Sequence, residues 1–173
     1  MKRAIIICGE NVQDQEWVYP YYRLQEEGFE VKVATKDGKE TTGIIGIRIP
    51  GDTAYDQLKV EDYEVIVLPG GVKMMEKIRQ EEGVLKFIAD FVASGKVVAS
   101  TCHGAQLLIS ARAVKGKKIS AYYSIKDDVN NAGAIYVDAP FVTDGNIVSS
   151  PHYKHMALWM KETIRLYNGR HND

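Results

Sequence analysis

Cys102 lies in the segment Lys96-Val97-Val98-Ala99-Ser100-Thr101-Cys102-His103-Gly104-Ala105-Gln106-Leu107-Leu108. A β-branched run ends in small residues, then come a thiol, an imidazole and a glycine, and an apolar stretch follows. The pattern predicts strand, sharp turn and helix, with the cysteine at the turn. A side chain there stands at the carboxyl edge of a sheet and at a helix N-terminus, whose partial positive charge favours thiolate over thiol. This is the arrangement of a nucleophile elbow with sulfur in place of a serine oxygen. A buried structural cysteine is the alternative reading of the same segment. Cys8 ends an earlier apolar run; it reads as a small core residue, or else as a resolving partner for Cys102.

Other residues of chemical interest are weaker alone. Gly70-Gly71 follows an apolar strand and by itself means a tight turn. His103 is adjacent in sequence to the thiol, and consecutive helical residues diverge by about 100°. Its backbone amide is therefore a safer oxyanion donor than its ring is a base. Glu16 falls in the first turns of a helix, where a carboxylate helps the dipole. His152 and His155 lack a third ligand and read as a polar helix face. Met74-Met75 reads as core or interface, and no metal site is expected.

The chain must be able to position these groups. Its 173 residues suit one domain, spanning 1–173, with a sizeable core. The hydrophobic share of 45% and net charge of −1 suit a soluble globular protein and give no reason to expect nucleic acid or an anionic membrane as partner. No apolar run is long enough for a bilayer. Two cysteines without an export signal point to a reducing cytoplasm.

The periodicity predicts strands at 4–8, 29–34, 65–68, 97–100, 117–120, 134–137, 141–142 and 147–149, and a short edge hairpin at 44–49. Helices are expected at about 15–27 with Asp14 as cap, at 81–94, at 103–111 and at 124–132 with Asp127-Asp128 following Ser124 at capping spacing. A last helix is expected to start at Ser150-Pro151. Strands alternating with helices imply an α/β fold with a mainly parallel sheet covered on both faces, and a site at the carboxyl ends of its strands.

Beyond these local signals, the chain resembles the PfpI-type intracellular proteases of the ThiJ/PfpI superfamily. The likeness is carried by Tyr19-Pro20-Tyr21-Tyr22-Arg23-Leu24, Val67-Leu68-Pro69-Gly70-Gly71, Ser100-Thr101-Cys102-His103-Gly104 with Leu107 to Ala111, Ser124 to Asp128 with Asn131-Ala132-Gly133, and Val142 to Asn146, in that order. The resemblance implies a flavodoxin-like three-layer sandwich of the class I glutamine amidotransferase type. It implies that Cys102 is the nucleophile, His103 its neighbouring histidine and Glu16 the acid that hydrogen-bonds the thiolate. It makes Gly70, Gly71 and the His103 amide oxyanion donors and Tyr122 a pocket tyrosine. Glu76 matches a glutamate that reaches the active site of an adjacent subunit, which implies a homo-oligomer, a dimer or hexamer.

The sequence also departs from that pattern. Gln13 stands where a glutamate is usual, on the substrate side of the site. The stretch Val72 to Met75 lacks the usual proline, and no arginine follows Ser150. Three activities remain open for one thiol: a glyoxalase or deglycase acting on methylglyoxal and its adducts without glutathione, metal or other cofactor; a cysteine peptidase borrowing Glu76 from a neighbour; and a non-enzymatic redox sensor or holdase that oxidises Cys102.

Overall fold

The computed structural model describes residues 1–172. Five strands form a parallel core: β1 (Arg3–Ile7), β2 (Glu30–Thr35), β6 (Val65–Leu68), β7 (Val97–Thr101) and β11 (Ile147–Ser150). A further parallel strand, β5 (Thr53–Ala54), pairs with β2 at one edge, and β10 (Val142–Asp144) is antiparallel to β11 at the other. The order is β10-β11-β7-β6-β1-β2-β5. β6, β7 and β11 are buried at every residue, as strands covered on both faces must be. The fold is α/β and flavodoxin-like. Its direction of winding reverses between β1 and β6, and ligand crevices of such sheets open at that point beyond the carboxyl ends.

Helices cover the sheet in two groups. α1 (Asp14–Glu26) packs on α6 (Met156–His171). α4 (Ala105–Ser110) contacts α2 (Val72–Ile78), α3 (Glu82–Ala93) and α5 (Lys126–Asn131). The inward stripe of α3 is Val84, Phe87, Ile88 and Phe91, at the expected helical spacing. On α6, Trp159 is fully buried and its indole N–H donates to the Val148 carbonyl, which fastens the helix to β11.

Several local expectations fail for identifiable reasons. Asp14 does not cap α1. Its carboxylate is buried and turned outward from the helix, where it accepts the Ile45 and Ile47 N–H groups at 2.8 and 2.9 Å. It thereby pins a two-stranded hairpin, β3 (Thr41–Thr42) with β4 (Arg48–Ile49), over the start of α1. The residues 44–47 form the tip of this hairpin, separate from the central sheet. Ser150 does not begin the last helix. It continues β11 opposite Thr101, and its hydroxyl donates to the Pro140 carbonyl. The chain leaves through a 3₁₀ turn, Tyr153–His155, capped by the His152 ring, before α6 starts at Met156. Ser124 lies inside a 3₁₀ turn and caps nothing. The pair Lys118–Ile119 (β8) with Ile135–Tyr136 (β9) forms a small separate sheet.

α2 and β5 are among the elements with no counterpart in the sequence reading. α2 is only seven residues long, and two residues are too few for β5 to show a period.

Asp14→Ala leaves the part-buried N–H groups of Ile45 and Ile47 without their acceptor. Losing hydrogen bonds to a charged group makes this a loss of about 2–3 kcal/mol. Chemical denaturation of the variant against the parent measures it.

Candidate active site

The site forms where three strand ends meet. After β1 the chain turns into α1, which carries Glu16. After β6 it passes through Pro69-Gly70-Gly71 into α2. After β7 it makes the elbow at Cys102. These turns are tied together by backbone bonds: the Gln13 N–H donates to the Gly70 carbonyl at 3.0 Å, and the Tyr122 N–H to the Cys102 carbonyl at 3.3 Å.

Cys102 has φ of +57°, a left-handed conformation that side chains other than glycine rarely adopt. Such a residue costs on the order of 1–3 kcal/mol and persists only where its surroundings enforce it. The enforcement comes from Gly104, which lies so close to the end of β6 that an added Cβ would overlap the Leu68 carbonyl oxygen. The chain therefore reaches α4 only by a sharp 3₁₀ turn, Cys102–Gly104, which aims the thiol out of the sheet edge.

Gly70 is required by the same crowding. A Cβ there would sit 2.7 Å from Glu16 Oε1, 2.9 Å from the His103 nitrogen and 3.1 Å from Cys102 Cβ. Its N–H donates to Glu16 Oε1 at 2.9 Å, so this amide holds the acid in place. Glu16 is fully buried, and its other oxygen has no nitrogen or oxygen partner among the described residues. Burial pushes the Glu16 carboxyl up to about 8, against the opposing pull of the Gly70 N–H and Cys102. It is thus mostly protonated at neutral pH, beside the thiol.

Burial also pushes the Cys102 thiol up, helped by the charge of an ionised Glu16; the His103 amide pulls the other way. The direction is opposite to that expected from the helix end. A three-residue turn followed by six residues of helix offers little dipole against so much desolvation. The two groups titrate as a pair: two adjacent buried anions are disfavoured, so Glu16 and Cys102 carry at most one negative charge between them.

His103 is nearer to the sulfur than helical spacing suggests. The 3₁₀ turn brings its Nδ1 to 3.4 Å from Sγ. Burial holds the imidazole below its usual range, so it is neutral and can accept a proton. Tyr122 packs its ring 5.0 Å from that of His103. The structure thus brings together Cys102, His103, Glu16, Gly70 and Tyr122. Gly71, at φ of +122°, turns the chain into α2, with its Cα too near the Asn11 carbonyl for a side chain.

Glu76 lies further out. It is exposed on α2 and lines a groove of about 360 Å³ with His103, Gln106 and Arg79. The Gln13 side chain donates to that of Gln15, so it is engaged along α1. Cys8 is fully buried, with its carbonyl accepting the Tyr55 hydroxyl. The sequence reading missed the aromatic surroundings of Tyr122: Tyr123, His152 and Tyr153 all stand close to it or to each other. The doublets Tyr122-Tyr123 and His152-Tyr153 were the available signal, but nothing in their spacing links segments 30 residues apart.

The model of the DJ-1/PfpI family matches residues 2–166. A deglycase of Thermococcus kodakarensis is 40% identical over 164 residues, covering 95% of this chain and 98% of that protein. An uncharacterised protein of Archaeoglobus fulgidus is 42% identical over 164 residues, covering 95% and 97%. Among solved structures, a two-domain protein of Anabaena variabilis with DJ-1/ThiJ/PfpI-like and ferritin-like domains superimposes with a TM-score of 0.92 at 29% identity, over 95% of this chain and 48% of that one.

Glu16→Gln tests the buried acid through stability. Glu16 binds its proton more tightly when folded, so the unfolded chain ionises first. The resulting stabilisation is complete below about pH 4.5 and is lost as pH rises through about 8. Between pH 5 and pH 7.5 the variant should gain on the order of 2–3 kcal/mol relative to the parent. Paired denaturation curves at the two pH values measure this; a difference independent of pH contradicts it.

Proposed function

The chain belongs to the DJ-1/PfpI family, and from that premise we propose that it is a cysteine-dependent, glutathione-independent glyoxalase and protein deglycase, acting on methylglyoxal and its adducts. The observation that carries the reading is the neutral Glu16 held by the Gly70 N–H against Cys102, with the His103 ring on the thiol. A nucleophile flanked by a proton donor and a neutral base suits chemistry that moves protons between adjacent carbons. The name deglycase on relatives sharing 37–40% of their residues over nearly the whole chain supports the same class of substrate.

With methylglyoxal, His103 takes the thiol proton as the sulfur adds to the aldehyde carbon, Glu16 protonates the resulting alkoxide, and the proton on His103 passes back to Glu16. The product is a hemithioacetal. His103 takes the remaining proton from that carbon and delivers it to the ketone oxygen, and an enediol forms. Return of a proton to the neighbouring carbon gives a lactoyl thioester on Cys102. Water attacks the thioester carbonyl, lactate leaves, and the thiol is regenerated; no electrons enter or leave the site. The Gly71 and His103 amides are the oxyanion donors in this reading, because the Gly70 N–H is already used by Glu16.

Peptide hydrolysis is the second reading. It is favoured by the exposure of Glu76 in the groove beside His103, where a neighbouring copy of the chain has access to it. A homo-oligomer in the cytoplasm is part of this proposal. No helix among the described residues is long and apolar enough to cross a membrane.

Purified reduced protein is expected to convert methylglyoxal to lactate, with Cys102→Ser inactive. Glu16→Gln should lower kcat by about 10²–10⁴, the usual contribution of a positioned acid, with little change in KM. Gly70→Ala should also depress kcat, because its Cβ displaces Glu16. Lactate formation by the Cys102→Ser protein, or none by the intact one, contradicts the reading. Peptidase activity that falls on dilution while methylglyoxal turnover is absent favours the second.

A further inference from the structure

Beside the elbow, four rings from two distant segments form a continuous wall. Tyr122, whose N–H is bonded to the Cys102 carbonyl, lies with its ring 5.0 Å from His103 and 4.7 Å from Tyr123. The His152 ring stacks against Tyr122 at 5.9 Å with an interplanar angle of 28°, and Tyr153 follows at 4.0 Å from His152. The outer rings are uncovered, Tyr123 being 72% exposed and Tyr153 41%. Two large aromatic side chains left open beside a nucleophile are a surface with something to gain from an occupant.

The inner rings are fixed. His152 is half-buried, and its Nδ1 accepts the Lys154 N–H at 3.1 Å, so the proton of the neutral ring is carried on Nε2. Burial, with Lys154 and His155 nearby, keeps this imidazole below its usual range, so it meets a ligand uncharged. The residue after Ser150 is Pro151, so no guanidinium enters the wall at that point. A row of uncharged ring faces with one N–H donor recognises flat conjugated groups and gives no anchor to an anion.

We propose that His152, with Tyr122 and Tyr153, is a specificity-determining subsite of the Cys102 centre, which stacks a flat, uncharged aromatic or heteroaromatic group attached to the substrate carbonyl. It rests on the reading of Cys102 as a carbonyl-attacking thiol, and it adds the kind of carbonyl compound preferred. Arylglyoxals and adducts borne on flat rings are then better substrates than aliphatic ones of the same size. The aromatic contact beyond burial amounts to about a three- to tenfold preference.

The test separates this claim from the reaction. Full-length Cys102→Ser protein, which cannot turn over, is titrated by ligand-observed NMR with benzamide and with cyclohexanecarboxamide. The two amides match in size and charge and differ in the flatness of the ring. Benzamide is expected to bind about three- to tenfold more tightly. His152→Phe in this background keeps the ring and loses the turn cap; His152→Asn keeps a cap acceptor and loses the ring. The preference should survive in the first and fall toward one in the second. Equal binding of the two amides, no binding of either, or a preference kept by asparagine and lost by phenylalanine overturns the proposal. So does benzamide binding that disappears as protein concentration rises, because a second copy then covers the wall. Ring preference in the Cys102→Ser protein, with no aldehyde turnover by the intact one, would leave the subsite standing and reject the glyoxalase reading.

Discussion

A carboxyl group and a thiol share one buried volume in this protein, and the site's chemistry follows from that constraint. Water cannot screen two negative charges there, so Glu16 keeps its proton to about pH 8 and burial together with an ionised Glu16 pushes the thiol up. The Gly70 N–H determines which oxygen of Glu16 is anchored and leaves the other for the sulfur. The energetic consequence is a site that destabilises the fold as pH rises through about 8.

The fold supplies the confinement. Parallel strands β1, β6 and β7 end side by side, and the turns after β6 and β7 are too tight for a side chain at Gly70, Gly71 and Gly104. Gly104 lets the elbow close over Leu68, and Gly70 leaves room between Glu16 and the His103 amide. The left-handed backbone at Cys102 is the cost of presenting sulfur rather than burying it. The 3₁₀ geometry of that turn also bends the His103 ring back to the thiol, so one local distortion brings thiol and imidazole together.

How much of this was legible in the sequence depended on the range of the interaction. The parallel sheet and most helices followed from apolar runs and glycine stops, because strand burial and helical faces leave a periodic trace. The elbow followed from Ser100 to Gly104, a local pattern. Glu16, Gly70 and Tyr122 were placed near Cys102 through the family resemblance; periodicity alone left Glu16 as a helix-end carboxylate. Asp14 was misread as a cap because its partners, the N–H groups of Ile45 and Ile47, lie 31 and 33 residues away. The rise of the Cys102 thiol was likewise hidden, since a helix start is visible in sequence and the depth of burial is not. The ring wall from Tyr122 to Tyr153 depends on β11 emerging beside β7, a matter of strand order.

Infrared spectroscopy of the reduced protein with ¹³C-labelled glutamate, compared with Glu16→Gln, tests the shared proton most directly. The account predicts a protonated-acid carbonyl band at neutral pH that is absent from the variant and that fades as pH rises through about 8, before thiolate absorbance grows. A Glu16 that is fully carboxylate at pH 7, with Cys102 ionising independently of it, would contradict the account.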